Sequence, residues 1–145
     1  MKILVLNNDL KERTVIQQVL QNNGNEIVTA ENSETAMLQL QEGGIHFVIA
    51  DRVTTDIDEQ QFIKHVRDAK PPYYIYILLI TAKVQENDIT TPRTSADDYL
   101  HKPVIPIELK SRVHIGERIL GLRDHLVQAK DTLDNSAMLD TLTNV

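Results

Sequence analysis

A doubly wound α/β domain, with a parallel sheet between two layers of helices, is the fold this 145-residue sequence predicts. Short, uniformly apolar runs alternate with stretches of helical periodicity, and the runs stop at polar residues. Three of those stops carry chemistry. Asp51 follows Phe47-Val48-Ile49-Ala50, Thr81 follows the apolar run ending at Ile80, and Lys102-Pro103 comes soon after Asp98-Tyr99-Leu100. Strands lying side by side in one direction would bring an acid, a hydroxyl and an amine to one sheet edge, the edge that ligands and chemistry favour in such folds.

Taken in order, Lys2-Ile3-Leu4-Val5-Leu6 is too short and too apolar for an amphipathic helix and reads as a central strand. From Leu10 to Leu20, Val15, Ile16, Val19 and Leu20 recur at helical spacing, and Asn22-Asn23-Gly24 stops that helix with residues tolerant of positive φ. Glu26 to Ala30 is a second strand. Asn32 or Ser33 caps a second helix carrying Ala36, Met37 and Leu40, closed by Gly43-Gly44. The third strand is Phe47 to Ala50. After Asp51 a polar loop leads to a helix from about Glu59 to Ala69, with Phe62, Ile63 and Val66 on one face and Lys70-Pro71-Pro72 at its end. The fourth strand runs from about Ile75 to Ile80. The next connection contains Thr90, Thr91 and Pro92, with Val84 and Ile89 as apolar anchors, so its helix is expected to be short, shifted or mobile. Asp97 to Leu100 is the fifth strand, and a last helix begins after Pro106. Five strands alternating with five helices imply right-handed crossovers and helices on both faces.

The last helix does not stop where the domain should, near residue 120. Ile115, Ile119, Leu122, Leu126, Ala129 and Leu133 follow at intervals of four, three, four, three and four, the period of a coiled-coil seam. The earliest members also suit core contacts, and Gly116 and Gly121 weaken the helix there. A helix from Ile107 to about Ala137 would be ~45 Å long, too long to lie against a small sheet, so part of it must project. The expected organisation is a domain over 1–120 and a helical stalk over 121–145, the latter reaching the start of a further effector domain. The seam is expected to pair two copies as a homodimer.

Composition sets bounds. A hydrophobic share of 41% supplies one core, and a formal charge of −6 opposes attachment to nucleic acid or anionic membrane, since phosphate contacts need clustered Lys and Arg. Neither partner is expected. The chain has no cysteine, which excludes disulfides and thiolate metal sites and fits a reducing, cytoplasmic setting. The run from Tyr73 to Ile80 is far short of the ~20 residues that span a bilayer, and Asn7, Asn8 and Asp9 interrupt the N-terminus before a signal-peptide core forms. His46, His65, His101, His114 and His125 lack zinc-site spacing, and no glycine-rich phosphate loop or serine elbow occurs.

The ordered set Lys2 to Asp9, Phe47 to Asp51, Leu79-Ile80-Thr81-Ala82 and Ala96 to Pro103 resembles the receiver domain of two-component response regulators, over residues 1 to about 120. The resemblance implies a flavodoxin-like fold of strand order 2-1-3-4-5 with an extended C-terminal helix. It implies Asp51 as the phosphorylated carboxylate, Lys102 as partner of the phosphoryl group, Thr81 as its hydrogen-bond donor and Tyr99 as the conformational readout. It also implies Mg²⁺ held by Asp51, Asn8 and the backbone carbonyl of Val53, and a histidine kinase or phosphotransfer protein as the source of phosphate. An acyl phosphate adds negative charge that an ammonium and a hydroxyl stabilise selectively over the empty state.

Departures from the pattern qualify that expectation. The family's acidic pair falls on Asn7 and Asn8, whose amides bring no charge to a hard cation, so metal binding is expected to be weak. Asp9 lies one place later, where the strand's end should point it elsewhere; whether it substitutes stays open. Without the metal, Lys102 is expected to pair directly with Asp51. The family's Met-Pro falls on Thr54-Thr55 and its Gly on Glu59.

Three readings remain at this point: a phosphorylated receiver, a degenerate receiver used for dimerisation or protein contact, and a flavodoxin-like cofactor protein. The last would need a first loop rich in Ser, Thr and Gly where Asn7-Asn8-Asp9-Leu10 stands. A second resemblance lies in Ala137 to Asn144, which looks like the Asp-x-Leu-Thr stretch opening cyclase domains of the GGDEF family. The chain itself is expected to be regulatory rather than enzymatic, any cyclase activity lying in a domain beyond it.

Overall fold

The computed structural model describes residues 1–21, 24–52, 59–68, 73–82 and 96–143. Five parallel strands form one sheet: β1 (Lys2–Leu6), β2 (Glu26–Ala30), β3 (Phe47–Asp51), β4 (Tyr76–Thr81) and β5 (Asp98–His101), in the order β2-β1-β3-β4-β5. Four described helices join and flank them: α1 (Leu10–Gln21), α2 (Ser33–Gln41), α3 (Glu59–Asp68) and α4 (Pro106–Thr143). This is the flavodoxin-like doubly wound architecture, with its long C-terminal helix. The connections at 53–58 and 83–95, including the expected fourth helix and Val53, lie outside the described residues.

The strand sequences explain the two-layer core. Successive side chains of a strand point to opposite faces, so a strand covered on both sides must be apolar throughout. All five residues of β3 and all six of β4 are buried, whereas β2, at the edge, buries only Ala30 fully. Leu4, Leu6, Val48, Ala50, Ile77 and Leu79 face α2 and α3, which contribute Ala36, Phe62, Ile63 and Val66. Ile3, Val5, Phe47, Ile49, Leu78, Ile80 and Leu100 face α1 and α4, which contribute Ile16, Leu20, Leu109, Val113 and Leu120.

Helix ends are fixed locally. Asp9 Oδ1 accepts the backbone N–H groups of Lys11 and Glu12 at 3.0 and 3.3 Å, satisfying donors that the first turn of α1 leaves unpaired. Asn32, with extended φ of −149°, does the same for α2 by accepting from Thr35 N–H at 2.8 Å. Gly43 and Gly44, at φ of 85° and 84°, turn the chain after α2 through a region that L side chains avoid.

Gly116 has a different cause from the helix weakening read in the sequence. A Cβ there would stand 2.5 Å from Phe47 Cε2 and 2.8 Å from Tyr76 Cε1, so the glycine lets α4 lie directly on the starts of β3 and β4. The helix then runs on to Thr143, six residues beyond the expected end. Beyond Leu120, the last buried apolar residue of α4 among the described side chains, Leu122 and Leu126 stand 60% and 70% exposed.

Candidate functional site

The buried polar residues among those described are three: Asn7, Asp51 and Thr81, at 1%, 2% and 2% exposure. All three lie at the C-terminal edge of the sheet, and strand register puts them there. Asp51 pairs with Ile80 across β3 and β4, which sets Thr81 one residue beyond it. Thr81 pairs with His101, and its carbonyl accepts Lys102 N–H at 3.0 Å, so Lys102 emerges just past the end of β5. From there its Nζ reaches across β4 to Asp51 Oδ1 at 2.9 Å. The acid, the hydroxyl and the amine read from separate strand ends are therefore together, and the direct Lys102–Asp51 pair is as expected.

Asn7 stands at the end of β1, its backbone N–H donating to Ala30 at 3.0 Å. Its side chain is committed on both sides: Oδ1 accepts Asp9 N–H at 2.9 Å, and Nδ2 donates to Glu12 Oε1 at 2.8 Å. Arg13 donates to the Asn7 carbonyl at 3.0 Å. Asn8 is exposed, and Asp9 serves as the cap of α1.

Glu12 is a site residue that the sequence reading missed. Its carboxylate stands 3.8 Å from Lys102 Nζ, so the ammonium lies between Asp51 and Glu12. Burial alone would pull the Lys102 pKa down, but the hydrogen bond to Asp51 and the charges of Asp51, Glu12 and Asp9 outweigh it and hold the amine above its ordinary range. A glutamate in the first turn of an amphipathic helix looks like a solvated residue, and its distance of five positions from Asn7 was the available signal.

Tyr99, the expected readout residue, is half-buried beside the α2–α3 layer, and its hydroxyl accepts Ala96 N–H at 3.2 Å. Asp97 and Asp98, read as residues that cap or solvate the start of β5, do more than that. Asp97 Oδ2 accepts Arg67 at 2.8 Å and Ile77 N–H at 2.7 Å, and Oδ1 accepts the Tyr74 hydroxyl. Asp98 pairs with Arg112 of α4 at 3.4 Å. This network sits at the N-terminal edge, away from Asp51. Burial, followed by the hydrogen bond and charge of Asp97, pushes the Tyr74 hydroxyl up to about 12, and burial with the charges of Asp98 and Asp97 takes Tyr76 to about 12. Arg123 of α4 lies 3.7 Å over the Tyr74 ring, tying the root of the stalk to the same cluster.

Among the described residues, no helix is long and apolar enough to cross a membrane. Comparison with known proteins places this geometry in context. The phosphate regulon transcriptional regulatory protein PhoB of Escherichia coli K12 is 33% identical over 113 residues, covering 77% of this chain and 49% of that protein. The chain spans about half the length of the curated relatives it matches. Among solved structures, a putative response regulator from Chloroflexus aurantiacus is 29% identical with a TM-score of 0.68, covering 79% of this chain and 95% of that one. The chemotaxis response regulator CheY4 of Vibrio cholerae shares the fold at 22% identity and a TM-score of 0.72, covering 79% and 97%. The response regulator receiver domain matches residues 3–114, most of the chain. By fold, strand order and family match, the chain belongs to the response regulator receiver domain family.

Proposed function

We propose that the chain is the signal-receiving part of a response regulator, with Asp51 as phosphoacceptor and the stalk of α4 as output. The observation that carries this reading is the meeting of Asp51, Thr81 and Lys102 at one sheet edge, with the ammonium 2.9 Å from the carboxylate. In the proposed reaction an Asp51 carboxylate oxygen attacks the phosphorus of a phosphohistidine on a histidine kinase or phosphotransfer protein. The O–P bond forms as the N–P bond breaks, and the imidazole leaves with the electron pair and takes a proton from water. Lys102 then follows the negative charge onto the phosphoryl oxygens, and the Thr81 hydroxyl donates to one of them. Because Lys102 must leave its resting place between Asp51 and Glu12, the charged state makes contacts the empty state lacks, which is what a two-state element needs. Tyr99, next to the edge and half-buried, is the proposed readout of that shift.

Among the described residues, the two positions where the resemblance places an acidic pair offer Mg²⁺ no charged oxygen. Asn7 has its side-chain oxygen engaged by Asp9 N–H, and Asn8 brings no charge. Phosphorylation is therefore proposed to be slow and only weakly dependent on Mg²⁺. The same observation favours a second reading, a degenerate receiver that works by protein contact without phosphate. Incubation with acetyl phosphate and Mg²⁺, followed by intact mass, separates the two. The first reading expects one phosphate adduct in the native chain and none in Asp51→Asn; an unmodified native chain leaves the second.

The output beyond the stalk is proposed to be a cyclase domain of the GGDEF type, a reading supported by Ala137 to Asn144. Relatives named as transcriptional regulators share the receiver portion, and the net charge of −6 supports a domain that does not itself contact nucleic acid. The open reading frame around these residues tests the output directly: a catalytic cyclase sequence following the stalk supports it, and a DNA-binding domain there removes it.

A further inference from the structure

Helix α4 has two apolar faces. Leu109, Val113 and Leu120, with Gly116 among them, are buried against the sheet. Ile115, Ile119, Leu122 and Leu126 form a second row that is 41%, 37%, 60% and 70% exposed, about 130° around the helix from the first at ~100° per residue. Ala129, also exposed, continues the row in register. An exposed apolar row of this length, spaced by fours and threes, is the seam of a helix that pairs with another helix.

The charges beside the seam are sorted by sign. The cation Arg118 flanks one side, with His125 in register beyond it, and the cations Arg123 and Lys130 flank the other, all four residues exposed. The acids Glu117 and Asp124 lie on the side opposite the seam. With Ile119 and Leu126 as the a positions of the heptad, the basic residues occupy g and e, the positions that choose a partner. In a parallel pair of two copies, Arg118 of one meets Arg123 of the other, and His125 meets Lys130. An antiparallel pair sets g against g and e against e, again base against base.

We infer that the outward seam of α4 docks an acidic amphipathic helix of another protein in preference to a second copy of this chain. The buried apolar surface is similar in both pairings, so the flanking charges decide between them: contacts that repel in the self-pair attract when the facing e and g positions carry glutamate. The stacking of Arg123 on Tyr74 holds one of these bases at the root of the stalk. Docking here needs no chemistry at Asp51, so the chain carrying Asp51→Asn is expected to bind equally well, which keeps this inference separable from the phosphorylation reading.

The test uses the full chain and two synthetic peptides of residues 112–137. One has the native sequence, and the other carries Arg118→Glu, Arg123→Glu, His125→Glu and Lys130→Glu. The acidic peptide is expected to bind at least roughly tenfold more tightly than the native-sequence peptide, measured by calorimetry. Raising salt from roughly 50 to roughly 500 mM is expected to weaken the acidic pairing while strengthening any self-association seen by sedimentation, because screening removes attraction in one case and repulsion in the other. Leu122→Glu with Leu126→Glu in the full chain should abolish binding. Equal affinity for the two peptides, failure of both to bind, or tighter self-association than acidic pairing would each overturn the inference.

Discussion

At the C-terminal edge of the sheet, Lys102 meets Asp51 at 2.9 Å; at the N-terminal edge, Arg67 meets Asp97 at 2.8 Å. The two ion pairs are similar in length and differ in everything around them. Asp97 is held by one guanidinium nitrogen of Arg67, a tyrosine hydroxyl and a strand N–H, donors from α3, the segment before β4 and β4 itself. Its own N–H returns a bond to Ile77 at 2.8 Å. Such a carboxylate fixes geometry. Asp51 instead faces an ammonium on a flexible four-carbon stem that also stands near Glu12, a charge able to swing to a new acceptor without dismantling the fold. The contrast teaches that a receiver can keep a fixed frame at the edge where its stalk is rooted and a movable charge at the edge where the signal arrives.

Substitutions at the two edges should therefore have unlike consequences. The largest effect is expected at the fixed edge: Gly116→Ala forces a methyl into Phe47 and Tyr76 and should cost about 3 kcal/mol in urea unfolding, near the upper end of overpacking penalties. Next is Asp97→Ala, which strips acceptors from Arg67, Tyr74 and Ile77 N–H and should cost about 2 kcal/mol by the same measurement. If either substitution proves neutral, the N-terminal edge is not the rigid frame described.

Alkaline titration probes the same edge by a second route. Because the folded state raises Tyr74 and Tyr76 from 10.0 to about 12, it binds their protons more tightly than the unfolded chain does. The resulting stability is fully present below pH 10.0 and should be lost as pH rises toward about 12. Absorbance of phenolate checks the midpoints, and Asp97→Asn should bring Tyr74 down while leaving Tyr76 less affected. The smallest stability change is expected at the movable edge. Asp51→Asn keeps the side chain's shape, removes a buried charge and leaves Lys102 beside Glu12, so unfolding should shift by no more than about 1 kcal/mol even though phosphate acceptance disappears.

Much of this was legible in the sequence because apolar runs and their ends are local signals. Phe47 to Ala50 announces a doubly covered strand, and any residue directly after such a strand must stand at the sheet edge, which located Asp51 and Thr81 and placed Lys102 with them. Asn32 as a cap and Gly43-Gly44 as a stop follow from backbone preferences of single residues. What was missed depends on residues meeting across long stretches of chain. Asp97 finds Arg67 and Tyr74 30 and 23 positions away, which no local pattern records. Glu12 gains its place from the turn that Asn7 and Asp9 build ahead of α1. Gly116 looked like a weakness in a helix because sequence alone does not reveal that Phe47 and Tyr76 need the space of its missing side chain.

The division between a fixed and a movable edge is tested most directly by backbone amide NMR of the native chain before and after addition of acetyl phosphate with Mg²⁺. Shifts are expected to concentrate at Thr81, Tyr99, Lys102 and Glu12 and to be absent from Asp51→Asn, with the Ile77 and Asp97 amides unmoved. A spectrum in which the Ile77 and Asp97 amides shift as far as those of Thr81 and Lys102, or in which none of the four moves, would contradict that division.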